Sequence, residues 1–235
     1  MVVVLDQTVF YPQGGGQPYD VGTITSDGKT FNVAEVRLVD GVVRHVGTFV
    51  GDHFVVTEKV VCHVDVERRK INTRLHSAGH LLDMARARLK LPWIPGKGYH
   101  FPNGPYVEYA CGKTPSVEED DPPSDGEDGS TFGVKEHDFS KLKIDLETAS
   151  NAIIAEALPT KVRFVSKAEM AELCESVPEY IPADKPGRVV LYGSFGIPCG
   201  GTHVANLADI GRVFVRKIKQ QGEGVVKVAY AIEPS

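Results

Sequence analysis

The chain of 235 residues has no pair of cysteines spaced two apart, which excludes a Cys-x-x-Cys zinc finger. Its four cysteines, Cys62, Cys111, Cys174 and Cys199, are scattered without framework spacing, so reduced thiols in a reducing compartment are expected. No apolar run reaches the length of a membrane span. The N-terminal Val2–Leu5 run stops at Asp6, too short for a secretory signal. A soluble cytoplasmic protein without a membrane partner is therefore expected. There is no internal repeat and no Walker lysine in the one glycine-rich loop.

At 42% hydrophobic the composition supports a proper core, in one large or two small domains. The net charge of −5 is unevenly spread. Residues 117–138 hold nine acids against Lys135, a contribution of −8, so the remainder stands at about +3, the difference between the two. Much of this stretch is rich in Pro, Gly and Ser, and residues 115–138 are predicted to form a disordered acidic insert.

Two motifs carry metal-ligand chemistry. His76-Ser-Ala-Gly-His80 and Cys199-Gly-Gly-Thr-His203 lie about 120 residues apart, and each sets two zinc-type ligands four residues apart. The first falls in a helix predicted near 66–90, capped by Asp65 and ended by Pro92. Its apolar stripe is Ile71, Leu75, Ala78, Leu82, Ala85 and Leu89, with His76 and His80 on one face beside it. The second motif is too rich in Gly and Pro for a helix and reads as a tight turn. Taken singly, each pair has a plain alternative: histidines at a core edge, or a buried thiol beside a surface imidazole. Together they predict one zinc ion per chain. Ser77 stands where a zincin protease needs its general-base glutamate, so that activity is excluded.

Residues 1–64 read as all-β, with runs at 23–25, 31–36 and 54–57 and Asp-Gly turns at Asp27-Gly28 and Asp40-Gly41. A small N-terminal β-barrel is predicted. Residues 65–235 mix helices (145–158 and 167–174) with strands (106–110, 161–165, 188–192, 210–219 and 225–232). Without βαβ alternation the class is α+β. Phe10-Tyr-Pro-Gln-Gly-Gly-Gly-Gln-Pro18 demands an unusual backbone path, as a plain turn or as a surface for a sugar-phosphate chain.

The order of these segments, with Arg74-Leu-His-Ser-Ala-Gly-His-Leu-Leu82, Gly96-Lys-Gly-Tyr-His-Phe101 and Pro198-Cys-Gly-Gly-Thr-His-Val204, resembles the AlaX family, free-standing relatives of the alanyl-tRNA synthetase editing domain. The resemblance covers nearly the whole chain except the acidic insert. It implies an N-terminal barrel carrying the glycine motif, then a sheet-and-helix editing domain of the threonyl/alanyl-tRNA synthetase type. It implies zinc held by His76, His80, Cys199 and His203. It also implies trans-editing, the hydrolysis of tRNA(Ala) mischarged with serine or glycine, without tRNA charging.

Within that frame Ser77, Thr202 and His100 are candidate catalytic or discriminating groups, and Asp83 is weighed as an acceptor for an imidazole against a solvated helix acid. Gly14, Gly15, Gly16, Gln17, Lys97 and Arg74 are candidate tRNA contacts. Arg68, Arg69, Lys70, Arg212, Arg216, Lys217 and Lys219 are further phosphate candidates, and Tyr99 or Trp93 could stack on the CCA end. A monomer is expected. Two other classes stay open: a non-catalytic RNA- or protein-binding module stapled by structural zinc, and a small-ester hydrolase.

Overall fold

The computed structural model describes residues 1–111, 139–179, 181–182, 184–222 and 224–234, so the expected acidic insert lies outside the described residues. In chain order the strands are β1 (Val2–Val3), β2 (Gly22–Ser26), β3 (Lys29–Val39), β4 (Val42–Val50) and β5 (Val61–Val64), followed by helix α1 (Val66–Arg88). Next come β6 (Ile94–Tyr99), β7 (Tyr106–Ala110), α2 (Phe139–Ala155), β8 (Thr160–Val165) and α3 (Lys167–Leu173). The chain continues through β9 (Gly187–Tyr192), β10 (Phe195–Pro198), a 3-10 turn (Leu207–Ile210), β11 (Val213–Gln220) and β12 (Val225–Ile232). The α+β class holds.

The first five strands form an antiparallel sheet in the order β1-β4-β3-β2-β5. Asp27-Gly28 and Asp40-Gly41 both take positive φ (42° and 80°, 52° and 77°), the conformation that two-residue hairpins require. Phe10, Ile24, Phe31, Val33 and Val36 fill its core. Among the described residues β1 pairs only with β4 and β5 only with β2, so the pairing does not close into the expected barrel. The strand expected at 54–57 is absent. Val55 and Val56 are exposed there and Thr57 has φ 72°, so an apolar run alone misled where no partner strand runs alongside.

His45 is fully buried under this sheet. Its Nδ1 lies 3.0 Å from the Val3 carbonyl, so Nδ1–H donates, and the Thr8 hydroxyl donates to Nε2 at 2.8 Å. The Phe10 amide in turn donates to Thr8. Burial holds the His45 pKa below its ordinary value despite the Val3 carbonyl. The unfolded chain, with a histidine pKa near 6.5, therefore binds the proton first as pH falls. This contribution is present above about pH 6.5 and is lost below it, by at most about 1.4 kcal/mol per pH unit for one group. Urea midpoints at pH 7.5 and 5.5 for wild type and His45→Gln check this. The gap between the two proteins should narrow at pH 5.5; a constant gap contradicts it.

The rest of the chain builds two further sheets. The order β11-β12-β7-β6 makes a four-stranded antiparallel sheet, with α1 and α2 on one face. Leu75, Ala78, Leu82 and Ala85 are buried as the periodicity predicts, but Leu81 and Met84 are buried too and Ile71 is exposed. The α1 stripe is thus wider and lower on the helix than the sequence implied. Asp65 caps α1 by accepting from the Arg68 amide. Helix α2 begins at Phe139, six residues before its predicted start, and buries Phe139, Leu146, Ser150 and Ile153. Strands β10-β9-β8 form the third sheet, closed on one side by α3 through Met170. Among the described residues no helix is long and apolar enough to cross a membrane.

Candidate metal centre

Helix α1 presents His76 and His80 one turn apart, and the turn after β10 presents Cys199 and His203. The ligand atoms of all four lie within 4.8 Å of one another. Cys199 Sγ is 3.3 Å from Nε2 of His76 and 3.3 Å from Nε2 of His203. A tetrahedral zinc with Zn–S about 2.3 Å and Zn–N about 2.0–2.1 Å sets neighbouring sulfur and nitrogen roughly 3.6 Å apart, close to these separations. Nε2 of His80 is buried with no hydrogen-bond partner, which is costly unless a ligand takes it.

Each imidazole is aimed from behind. The Nδ1 of His76 lies 2.7 Å from Gln17 Oε1, that of His80 3.3 Å from Asp83 Oδ2, and that of His203 2.7 Å from the Tyr192 hydroxyl. A proton held at Nδ1 leaves the Nε2 lone pair for a metal, the outer arrangement usual at zinc histidines. Asp83 is therefore no solvated helix acid: it also accepts from the Tyr109 hydroxyl at 3.0 Å. At His76, His203 and Cys199 the electrostatics favour the ligating forms. Burial and the neighbouring imidazoles hold His76 and His203 well below the ordinary histidine range. Burial alone would raise the Cys199 thiol, but His80, the Gly201 amide and Arg188 bring it below its ordinary value. Burial opposes charge on His80, yet the Cys199 sulfur and Asp83 push it up to about 10, so a proton on His80 and negative charge on Cys199 favour one another. A cation between them would displace that proton.

The glycine motif proves to be part of this centre. Gly14 and Gln17 exchange backbone hydrogen bonds across Gly15 and Gly16, whose φ values are 53° and 76°. The tight turn drives Gln17 to full burial. Its Oε1 accepts from His76 and from the Thr202 amide at 3.0 Å, while its Nε2 donates to Thr202 Oγ1 at 2.9 Å. Gln17, a candidate tRNA contact in the sequence, instead sits where it ties both ligand motifs together. Gly201 is required by closeness: a Cβ there would stand 2.1 Å from His76 Cε1.

A cavity of about 350 Å³ opens beside the ligands. His76, His80 and Cys199 line it together with Asp83, Lys97, His100, Glu108 and the glycines Gly15, Gly16, Gly98 and Gly200. His100 Nδ1 is 2.7 Å from the Tyr230 hydroxyl, which itself donates to the Leu75 carbonyl at 2.9 Å, so His100 donates there. Burial, with His80 nearby, lowers the His100 pKa to about 3, so the ring is neutral and stacks on His76 at 4.6 Å.

Gly79 makes room for that ring; a Cβ there would lie 2.3 Å from His100 Cε1. Glycine to alanine inside a helix ordinarily stabilises by about 1 kcal/mol. Gly79→Ala should do the reverse, lowering the melting temperature and displacing His100, which histidine NMR shifts would register. A raised melting temperature with unchanged shifts contradicts the packing.

The other sequence candidates are placed differently. Ser77 Oγ is buried and accepts from the Val204 amide at 3.1 Å; Thr202 Oγ1 is taken up by Gln17 and by Thr73 at 2.6 Å. Neither lines the cavity. Arg74 donates to the carbonyls of Ile210 and Glu233, and Arg68 to that of Tyr19. Trp93 is buried against Tyr109 and cannot stack on a nucleotide. Tyr192, read from the sequence only as the end of a strand, carries no periodic or spacing signal for its role behind His203.

Residues 1–68 match the family model described as tRNA synthetases class II (A). The chain is 30% identical over 239 residues to an alanine–tRNA ligase of Methanothrix thermoacetophila, covering 97% of this chain and 23% of that protein. It is 30% identical over 243 residues to one of Pyrobaculum calidifontis (99% and 24%) and 30% over 237 to one of Halobacterium salinarum (97% and 22%). The chain thus spans about a quarter of the length of these relatives. Over nearly its whole length the chain is thus similar to part of the alanyl-tRNA synthetases, which is consistent with the AlaX resemblance.

Proposed function

We propose that the chain is a zinc-dependent deacylase of mischarged tRNA(Ala), acting on the serine ester first and the glycine ester second. The observation that carries this reading is the cavity walled by three of the four convergent ligands, in a chain whose relatives are named for alanine and tRNA. His76, His80, Cys199 and His203 would hold the zinc, which supplies Lewis acidity for ester hydrolysis when bound.

The chain's own groups suit the substrate around it. Asp83 offers a carboxylate on the cavity wall, matching the α-ammonium of an aminoacyl ester. Lys97, exposed at the rim, matches a phosphate of the terminal nucleotides. The neutral His100 ring can accept a proton's hydrogen bond at Nε2 but is too weak a base to keep that proton near pH 7. Ser77 and Thr202, whose hydroxyls are engaged inside the fold, act by holding the two ligand motifs in place. Serine selection then falls to groups on the wall, by pairing a hydroxyl that alanine lacks.

The test is single-turnover release of amino acid from Ser-tRNA(Ala), Gly-tRNA(Ala) and Ala-tRNA(Ala) by the zinc-loaded protein. Release from Ser-tRNA(Ala), faster than from Ala-tRNA(Ala) by on the order of 10²-fold or more, is expected for hydroxyl recognition, with the glycine ester, which offers no hydroxyl, slower than the serine ester. No release from any of them, with folded and zinc-loaded protein, sinks the reading and favours a binding module with a structural zinc.

A further inference from the structure

The four-stranded sheet has helices on one face only. Burial alternates along β7 and through residues 225–231 of β12, and Val107, Tyr109, Val226, Val228 and Tyr230 point into the core. The alternate residues share the opposite face, and no described element packs on it through more than a few residues. Its composition is unusual for a solvent face. Cross-strand register sets Tyr99 opposite Tyr106, Tyr106 opposite Ala229, and Ala229 opposite Lys217. The Tyr99 ring stacks on Phe101 at 4.4 Å and on Tyr106 at 5.2 Å, and the Lys227 ammonium sits 3.3 Å from the Tyr106 ring centre.

A second aromatic centre lies on β11, two strands from Tyr106. The guanidiniums of Arg212 and Arg216 lie 5.1 and 5.6 Å from the Phe214 ring centre. Between the two centres β12 presents only Ala229 and Ala231, which leaves a shallow floor. A β-bulge between Val215 and Lys217 turns both Arg216 and Lys217 outward, with Lys219 beyond them.

None of Arg212, Arg216, Lys217, Lys219 and Lys227 forms an ion pair with a described residue. Glu108 is the one acid that the register places on this face among the described residues. A protein of net charge −5 has thus gathered five cations without an ion-pair partner among the described residues around two aromatic platforms, with Glu108 opposite Lys227. Cations set beside half-buried rings fit phosphates next to stackable bases, and fit an acidic peptide less well, which offers no planar group to the rings.

From this juxtaposition we infer that the open face of the β11-β12-β7-β6 sheet binds RNA. Phosphates meet the β11 cations and unpaired bases meet the Tyr106–Tyr99–Phe101 stack. Strands β6 and β7 also wall the cavity at residues 95–98 and at Val107 and Glu108, so RNA lying on this face runs toward the metal centre. The inference takes from the deacylase reading only the choice of tRNA as the RNA.

The experiment is equilibrium binding of uncharged tRNA(Ala) to the full chain across a salt series, which needs no ester and no turnover. The variants are Arg216→Ala/Lys217→Ala/Lys219→Ala, the charge-keeping Lys217→Arg/Lys219→Arg, and Lys161→Ala on β8 as a charge control. The triple variant should bind at least 10-fold more weakly near 0.1 M salt, and its log–log salt slope should be shallower by about 3. The charge-keeping variant and Lys161→Ala should match wild type. Tyr99→Ala should weaken binding without changing the slope, since stacking releases no counterions. A triple variant with wild-type affinity and slope overturns the inference even if the protein deacylates Ser-tRNA(Ala). Binding that depends on this face, in a protein that deacylates nothing, upholds it and removes only the deacylase reading.

Discussion

Replacing Cys199 by serine should strip the metal and the deacylation together. The cysteine sulfur touches both His76 and His203 at 3.3 Å, so it is the shared corner of the ligand cluster. A hydroxyl is a poor zinc ligand at neutral pH, and the remaining imidazoles, drawn together by burial, would repel any proton they took. Zinc per chain should fall from about one to well below half after dialysis against a weak chelator. Loss of a Lewis acid forfeits several kcal/mol of transition-state stabilisation, so release from Ser-tRNA(Ala) should slow by on the order of 10³-fold. The fold should survive, because Cys199 also anchors its turn through its backbone, by the amide to the Arg188 carbonyl at 3.2 Å. Full zinc content with full activity in a folded Cys199→Ser protein would refute the ligand set.

Arg69→Ala should be the most destabilising single charge removal. Asp20 is completely buried, and Arg69 grips it through Nε at 3.0 Å to both carboxylate oxygens and through a second nitrogen. The same carboxylate accepts from the Tyr11 amide at 2.6 Å, and Arg69 also donates to the Val9 carbonyl at 2.6 Å. Removing the guanidinium leaves a buried charge unpaired, at about 3–5 kcal/mol. Arg69→Lys should recover only part of this, since an ammonium cannot make the fork. These contacts hold the segment leading to the Gly14–Gln17 turn, so zinc affinity should fall with stability. Denaturant unfolding with parallel zinc titration measures both. A loss below 1 kcal/mol would show that the pair is not holding the segment. Arg69, a candidate phosphate contact by composition, is thus a clamp between the N-terminal sheet and α1.

Legibility followed periodicity and spacing. Strands β7 and β12 and the Asp65 cap fell where the pattern put them, because alternation and capping are local signals. Strand β6 was missed because Ile-Pro-Gly-Lys-Gly-Tyr has no alternation; its pairing with β7 is broken by a bulge between Pro95 and Gly98. Strand β10 is likewise short and glycine-bearing. The convergence of His76, His80, Cys199 and His203 was readable because each pair is four residues apart in sequence. Gln17 as the link between them was not, since it acts across 59 residues to His76 and 185 to Thr202. The Ser77 and Thr202 hydroxyls looked available in the motif and are consumed by contacts that only folding creates.

The most direct test of the metal centre is the zinc K-edge absorption spectrum of the purified chain. One sulfur near 2.3 Å and three nitrogens near 2.0–2.1 Å are predicted, in the proportions of Cys199 with His76, His80 and His203. A first shell of oxygen and nitrogen with no sulfur, or a protein that takes up no zinc at all, would contradict it.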